Sequence, residues 1–519
     1  MRNAGGLLDA ASHARRNHYA MSRELIEMQQ PASFDAAVNP GELARPKSGR
    51  RARGLVFLAV SLALIAPCFW QSRIQAADLG SHAYNAWLAQ LVERGQAPGL
   101  ALASQNTNIV FDFMLDKLMR LFGAGAAQSI AVAFAVLILA WGSFAFASAH
   151  SGKLAWGMMP LLAMLAYGTV FRTGFFNFYL ALGLSFWALA LLAKPSRSRV
   201  TGAGAILAAA WAAHALPVVW CVCLSAYYFS VRGRSRRTKA LAAALMLFGM
   251  FAVRYFAMAK LHGRWYPTQV ISMTGADQLW FWDGKYVPLM VGLMALWSAI
   301  FVQARREGAV RRLLTGMPGQ FAVLTAASVI ILPTSVLLPG YLFSLGYIAE
   351  RMSLAVAICL CVALSAVNIG RPMKVAMAAL AVLFFGLVWK DEGSLNRFED
   401  RLQAALAAMP YGQRVAAPAY APDLRVNVLA HMVDRACIGK CFSFGNYEPS
   451  TAQFRVRAVA ENPIVTTIYA DSYALQTGTY RVKPSDAPLY VLRADSSGQL
   501  IFKPLAAGEI CGVTKWKTL

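Results

Sequence analysis

Asp78 and His82 stand four residues apart near the start of Gln75 to Phe122, the least membrane-like part of the first third of the chain. If a helix begins near Asp78, both side chains project from one face. A carboxylate held beside a helix at a membrane surface is an acid–base group placed where lipid-linked chemistry is done. The same aspartate also reads as a helix N-cap, satisfying free backbone N–H groups. Tyr84, Trp87, Leu88 and Leu91 then form an apolar stripe suited to lying in the interface. Asp112 and Asp116 share a second helix face. Paired carboxylates serve glycoside chemistry, but Lys117 and Arg120 adjoin them, so a solvated, ion-paired face is the better reading. His214, at the turn His214-Ala215-Leu216-Pro217, is either a substrate contact or a structural hydrogen-bonder. Asn177 is expected as a polar contact between helices. Cys437 and Cys441 have a spacing compatible with a local disulfide. No second Cys/His pair stands beside them to suggest zinc.

The elements that hold these residues follow from composition. Of 519 residues, 58% are hydrophobic and 14% are charged, against about 25% charged in typical soluble domains. Several apolar stretches reach the roughly 17–25 residues that cross a bilayer. The fold class is therefore a polytopic α-helical membrane protein. The net charge of +24 does not point to nucleic acid, because no recognition motif accompanies it. Lys and Arg cluster instead in short loops between spans, the bias of cytoplasmic loops. Residues 1–53 are polar and end Arg50-Arg51-Ala52-Arg53. They lack the pattern of a cleaved signal peptide and are expected as a loosely ordered cytoplasmic tail.

Spans are expected near 54–70, 124–149, 154–171, 174–193, 240–258, 286–304, 321–338, 352–367 and 375–390. Residues 200–230 are read as two short helices that turn at His214, because one helix would place the basic run after Val231 outside. The total is about eleven helices over residues 54–390, with the N-terminus inside and the C-terminus outside. The outer loop 71–123, with its interfacial helices, then shares a face with the His214 turn and with loops 262–285 and 339–351. Residues 391–519 are too polar to span and are expected as a small α+β domain outside the membrane. Strands are expected at 464–469 and 489–492, and a helix over 394–409. The aromatic, turn-rich run Phe444 to Ser450 either binds a glycan or docks this domain.

The order of these features resembles the GT-C class of membrane glycosyltransferases. The segments that carry the resemblance are Ala77-Asp78-Leu79-Gly80-Ser81-His82-Ala83-Tyr84-Asn85, Gly95-Gln96-Ala97-Pro98-Gly99 and Gly174-Phe175-Phe176-Asn177-Phe178. It covers the membrane region to about Lys390. The resemblance implies inverting transfer of a sugar from a polyprenyl-phosphate carrier to a glycan, lipid or protein acceptor on the outer face. The acid of the first outer loop is then the base or metal-binding residue, here Asp78. Many members carry a second acid beside it; here the neighbours are Ala77 and Leu79. No cofactor is required by these residues, and a divalent metal is left open. A lipid-phosphate leaving group needs cations. Arg351, directly before a span, is the best placed, and Arg172, Arg254, Lys260 and Arg264 complete the outer set. With His82 and His214, Arg351, Arg172 and Arg254 form the expected substrate-binding group. Singly, each cation also reads as a side chain that snorkels or pairs with Glu350 or Asp277.

The resulting expectation is an enzyme of a bacterial-type cytoplasmic membrane. Two other classes stand beside it: a transporter or flippase for a lipid-linked or polar substrate, and a non-catalytic assembly protein.

Overall fold

The computed structural model describes residues 47–515. The tail expected at 1–53 lies outside the described residues as far as position 46. Of the described residues, 61–515 form one compact unit.

The described chain is mostly helical. Among the described residues five helices are long and apolar enough to cross a membrane: Arg51–Cys68, Val110–Ser151, Arg236–Lys260, Gly284–Arg306 and Arg371–Ala407. Four of them, all but Val110–Ser151, leave most of their apolar surface exposed, as lipid-facing helices do. Along Arg236–Lys260 only 11% of the apolar window is buried, and Leu241, Leu245, Phe248, Phe251, Val253 and Phe256 are exposed. Soluble monomers rarely show apolar patches beyond a few hundred Å². This is the pattern of a helical membrane protein.

The shorter apolar helices differ from the eleven expected spans. Phe176–Leu192, Ala215–Val231 and Met317–Ile331 are apolar but run to 17, 17 and 15 residues. The segment expected as one span at 154–171 is broken into Trp156–Met158, Met159–Ala166 and Thr169–Thr173. Gly168 marks the break because the Gln278 backbone crosses there: a Cβ would lie 2.8 Å from its carbonyl oxygen. The region 200–230 is two helices, Arg197–Ala213 and Ala215–Val231, with His214 extended between them. The first is capped by Ser196, whose side chain accepts from the Arg199 N–H.

Two helices carry the chain between the apolar bundle and the polar parts. Val110–Ser151 joins the amphipathic piece around Asp112 to an apolar span through Gly123, at φ 78° and ψ 166°, a conformation open essentially to glycine alone. Arg371–Ala407 crosses position 390 unbroken, where a domain boundary was expected. The polar segment beyond it belongs to the same compact unit as the bundle.

That polar segment is built on a four-stranded sheet. Arg414–Ala416 lies between Phe442–Ser443 and Leu489–Ala494, parallel to both, and Leu500–Leu505 is antiparallel to Leu489–Ala494. Phe444, Leu475, Val482, Leu489 and Val491 form its core. The strand expected at 489–492 is present. The one expected at 464–469 is not: Asn462 Oδ1 accepts from the N–H groups of Ile464 and Val465, and a helix starts at Tyr469. Ile464 and Val465 are buried, but in a turn. A short antiparallel pair, Leu100–Leu102 with Val456–Ala458, ties the stretch 71–123 to this segment.

The helix Leu79–Glu93 is not interfacial. Tyr84, Leu88 and Leu91 are buried. The Tyr84 hydroxyl accepts from the Ser443 N–H, and Trp87 stacks on Phe442. Its apolar stripe is covered by the C-terminal segment rather than by lipid.

Candidate functional site

Asp78 sits just before the helix Leu79–Glu93 but makes no capping bond with its side chain. Its backbone is fixed instead. The Ala77 and Asp78 N–H groups donate to the carbonyls of Arg172 and Thr173. Gly174, at φ 84°, lets the two segments approach: a Cβ there would lie 2.6 Å from the Asp78 nitrogen. The carboxylate is left partly exposed, with a side-chain accessibility of 20%.

Two imidazoles flank that carboxylate. His82 Nε2 is 3.6 Å from Asp78 Oδ2, and His82 Nδ1 is 2.6 Å from Asp112 Oδ1. His431 Nε2 is 3.8 Å from Asp78 Oδ1, and His431 Nδ1 is 2.7 Å from Asp434 Oδ2. Asp78 thus stands between two Asp–His pairs, one from the stretch 79–112 and one from the C-terminal segment. Each outer carboxylate is anchored in turn. Asp112 accepts from Asn177 Nδ2, whose own Oδ1 accepts from the Phe111 N–H. Asp434 accepts from the Ser443 hydroxyl. The Tyr447 hydroxyl donates to Asp78 at 3.3 Å, and Glu448 accepts from Ser81.

Electrostatics follow from this packing. Burial works against the charged form of His82, but the Asp112 carboxylate, with Asp78 and Glu448 beyond it, outweighs burial and lifts its pKa to about 10. His431 is likewise opposed by burial and raised by Asp434 and Asp78. Burial lifts the Glu448 carboxyl to about 8, with His82 acting against it. Burial also keeps the Tyr447 phenol protonated, reinforced by Asp78. The centre therefore sets two imidazoles, each drawn toward its charged form by a paired aspartate, and a phenol donor around the Asp78 carboxylate.

Arg351 supplies a further cation. Burial lowers its pKa to about 10, with Asp78, Tyr447 and Glu350 acting against that shift. Its guanidinium lies over the Phe175 ring, 3.8 Å from the centroid. Among the described residues it forms no ion pair, and its buried Nε has no hydrogen-bond partner. One nitrogen, Nη1, lies 3.3 Å from His214 Nε2. His214 Nδ1 also faces the Leu216 N–H as a cap. A neutral imidazole accepts through one nitrogen only, so His214 satisfies one of these at a time. Arg351 is under-partnered either way.

Other expected site residues lie elsewhere. Arg172 is fully buried, paired with Glu392 and bonded to the Gln75 carbonyl, under Phe171 and Trp282. It builds the floor of the site through its backbone rather than binding a substrate. Arg254 donates to the Ile331 carbonyl and stacks on Trp265. It pins a helix to a neighbouring loop. Cys437 and Cys441 form the expected disulfide. Asp116 is fully buried and bonded by Arg120 and Gln90. It is ion-paired as expected but not solvated, whereas Asp112 belongs to the site. Among the described residues no three His, Cys, Asp or Glu side chains converge as a metal-ligand set.

No family model matches this chain, and neither a curated protein nor a solved structure does.

The contributions from His431, Asp434, Tyr447 and Glu448 were not assigned from sequence. The spacing of His431 and Asp434 by three was a visible signal, but their link to Asp78 crosses more than three hundred positions. Within the aromatic run Phe444–Ser450, Tyr447 and Glu448 join the site.

Proposed function

We propose that the chain is a membrane glycosyltransferase of the GT-C class, using a polyprenyl-phosphate-linked sugar on the outer face of a bacterial cytoplasmic membrane. The observation that carries this reading is the partly exposed Asp78 carboxylate held between His82 and His431, at 3.6 and 3.8 Å, with the Tyr447 hydroxyl on it; Arg351, whose buried Nε has no hydrogen-bond partner, is the cation assigned to serve it. Inverting transfer needs both a carboxylate and a cation. An acceptor hydroxyl gives its proton to Asp78 as its oxygen bonds to the anomeric carbon. The bond from that carbon to the phosphate oxygen breaks, and its electron pair leaves on the lipid phosphate. Arg351 receives that anion, for which a planar guanidinium is suited. His82 and His431 hold the carboxylate from both sides, and the Tyr447 hydroxyl orients it. The Cys437–Cys441 disulfide supports an oxidising compartment for this face.

Asp78→Asn tests the base. Transfer from a polyprenyl-phosphate sugar by protein in nanodiscs is expected to fall by about 10²- to 10⁴-fold, with donor binding kept. Arg351→Gln is expected to weaken donor binding itself. Full transfer by the Asp78 variant removes this residue from the mechanism. Uptake of substrate into proteoliposomes that is indifferent to both changes favours a transporter instead.

A further inference from the structure

Residues 334–346 carry no charged side chain, and they fold as a hairpin. Val336 and Leu345 exchange both backbone hydrogen bonds, at 3.0 and 2.9 Å. At the tip the Tyr341 N–H donates to the Leu338 carbonyl, with Pro339 and then Gly340, at φ 79°, between them. That is the residue order of a type II turn. Leu338, Pro339, Tyr341, Leu342 and Phe343 are all exposed, Leu342 at 57%. A run of bulky apolar side chains turned outward, with no charge among them, is the surface of an interaction site. The backbone fixes where this tip stands. The helix Arg236–Lys260 shows its exposed apolar side as far as Met258. Lys260 and Arg264 follow, a basic pair at the end of an apolar span, where long cations reach the interface. The hairpin is stitched to that end. The Leu337 N–H donates to the Leu261 carbonyl at 2.8 Å, the Arg264 N–H to the Ser335 carbonyl at 2.8 Å, and the Thr334 N–H to the Arg264 carbonyl at 2.9 Å. The hairpin therefore starts at the level where the lipid-facing surface ends. Tyr266, Val270 and Ile271, in the loop after Arg264, expose more apolar surface.

We propose that the tip Leu338–Phe343 is seated in the lipid surface of the membrane, as an anchor that continues the lipid-facing side of the helix Arg236–Lys260. Leu338 and Leu342 enter the acyl boundary, and Tyr341 sits in the interfacial layer that favours tyrosine. The Val336–Leu345 pair and the closed turn leave few backbone groups to satisfy there. Continuity with the lipid-facing helix is what selects lipid over a second protein as the occupant. The anchor also sets the depth of the Asp78 centre. The Phe343 ring lies 5.2 Å from that of Tyr447, whose hydroxyl donates to Asp78, and the Phe343 carbonyl accepts from Gln453 at 2.8 Å. Tyr347, where the hairpin ends, meets Phe175 at 5.5 Å, the ring over which Arg351 lies. A tip held in the lipid surface thus holds the carboxylate at headgroup level. None of this rests on the glycosyltransferase reading: a transporter with these contacts would carry the same anchor.

The test is spin-label EPR on the full chain in nanodiscs of phosphatidylcholine and phosphatidylglycerol. A nitroxide is attached to Leu342→Cys in a Cys223→Ser background, because Cys223 is the exposed free cysteine among the described residues. Phe251→Cys, on the lipid-facing helix, and Tyr473→Cys, on the polar segment, are labelled as references; both side chains are exposed. Oxygen concentrates in hydrocarbon, and a neutral nickel chelate stays in water. Collisions with the chelate at position 342 are expected to be largely lost, as at 251 and unlike at 473, while collisions with oxygen stay high. Chelate collisions at 342 equal to those at 473 overturn the proposal. Loss of both kinds of collision overturns it too, because the tip is then covered by protein. Tyr341→Cys, labelled in the same way, takes the place of the Leu342 variant if that variant unfolds earlier than wild type on heating.

Discussion

At the scale of single residues, the site is a set of coupled charges, and its pH response follows from their signs. His82 is lifted from 6.5 to about 10 in the folded chain. Its stabilising contribution is complete below about pH 6.5 and is lost as pH rises through about 10. Glu448 is lifted from 4.5 to about 8. A carboxyl with a raised pKa binds its proton more tightly when folded, so its contribution also falls with rising pH, here from about 4.5 to about 8. The two effects run the same way. The melting temperature of wild type minus that of Glu448→Gln is expected to decline between pH 5 and 8, and the difference from His82→Gln between pH 7 and 10. A difference that grows with pH for either pair would contradict the placement of that residue. The Asp78 and His82 spacing of four was legible as one helix face. That His431 approaches the other oxygen of Asp78 was not, because nothing local to His431 records the contact.

At the scale of elements, two devices fix the helix Met432–Cys437, one against the helix Leu79–Glu93 and one against Glu399 and the Ile74 backbone. Gly80 is the first. A Cβ there would lie 2.1 Å from the His431 carbonyl oxygen, a backbone atom that cannot swing aside. Gly80→Ala is expected to cost about 1–3 kcal/mol by overpacking. It should also cut activity by displacing His431, as unfolding in denaturant and transfer assays together would show. The second is Arg435, in the helix that His431 precedes. Its Nε and Nη2 bond both oxygens of Glu399 at 2.7 and 2.6 Å, and its Nη1 bonds the Ile74 carbonyl at 2.8 Å. Removing one partner of a buried ion pair costs about 3–5 kcal/mol. Arg73, 3.3 Å from Glu399, keeps that carboxylate from being stranded, so Arg435→Gln is expected near the lower end of that range. Chemical unfolding of the variant measures it, and a loss below about 1 kcal/mol would deny Arg435 this clamping role. The break at His214 was readable from charge bias. The fate of Ile464–Ile468 was not, because Asn462 diverts backbone N–H groups that a strand would have used.

At the scale of the whole molecule, five apolar helices with exposed hydrophobic sides set the class. The topology with residues 194–199 inside and the Asp78 face outside is a proposal with a direct test. In intact cells carrying cysteine substitutions, Tyr473→Cys is expected to react with a membrane-impermeant maleimide. Ser198→Cys is expected to react only after the membrane is opened. Labelling of both positions in intact cells would place the basic turn outside and would remove the Asp78 face from its proposed compartment. Tyr473 is suited to this use because it is exposed at 60%.

By itself the sequence determined what depends on local composition. It fixed a helical chain with apolar spans, basic turns, a polar C-terminal segment, a close disulfide, and an acid and a histidine on one helix face. Those properties depend on residues within a few turns of one another. Only the tertiary structure decided that the presumed interfacial helix is buried, that Arg172 is spent on Glu392, and that the buried Nε of Arg351 is left without a partner. Those outcomes depend on which distant segments share a space. Desolvation and pairing there are set by neighbours that no local pattern names.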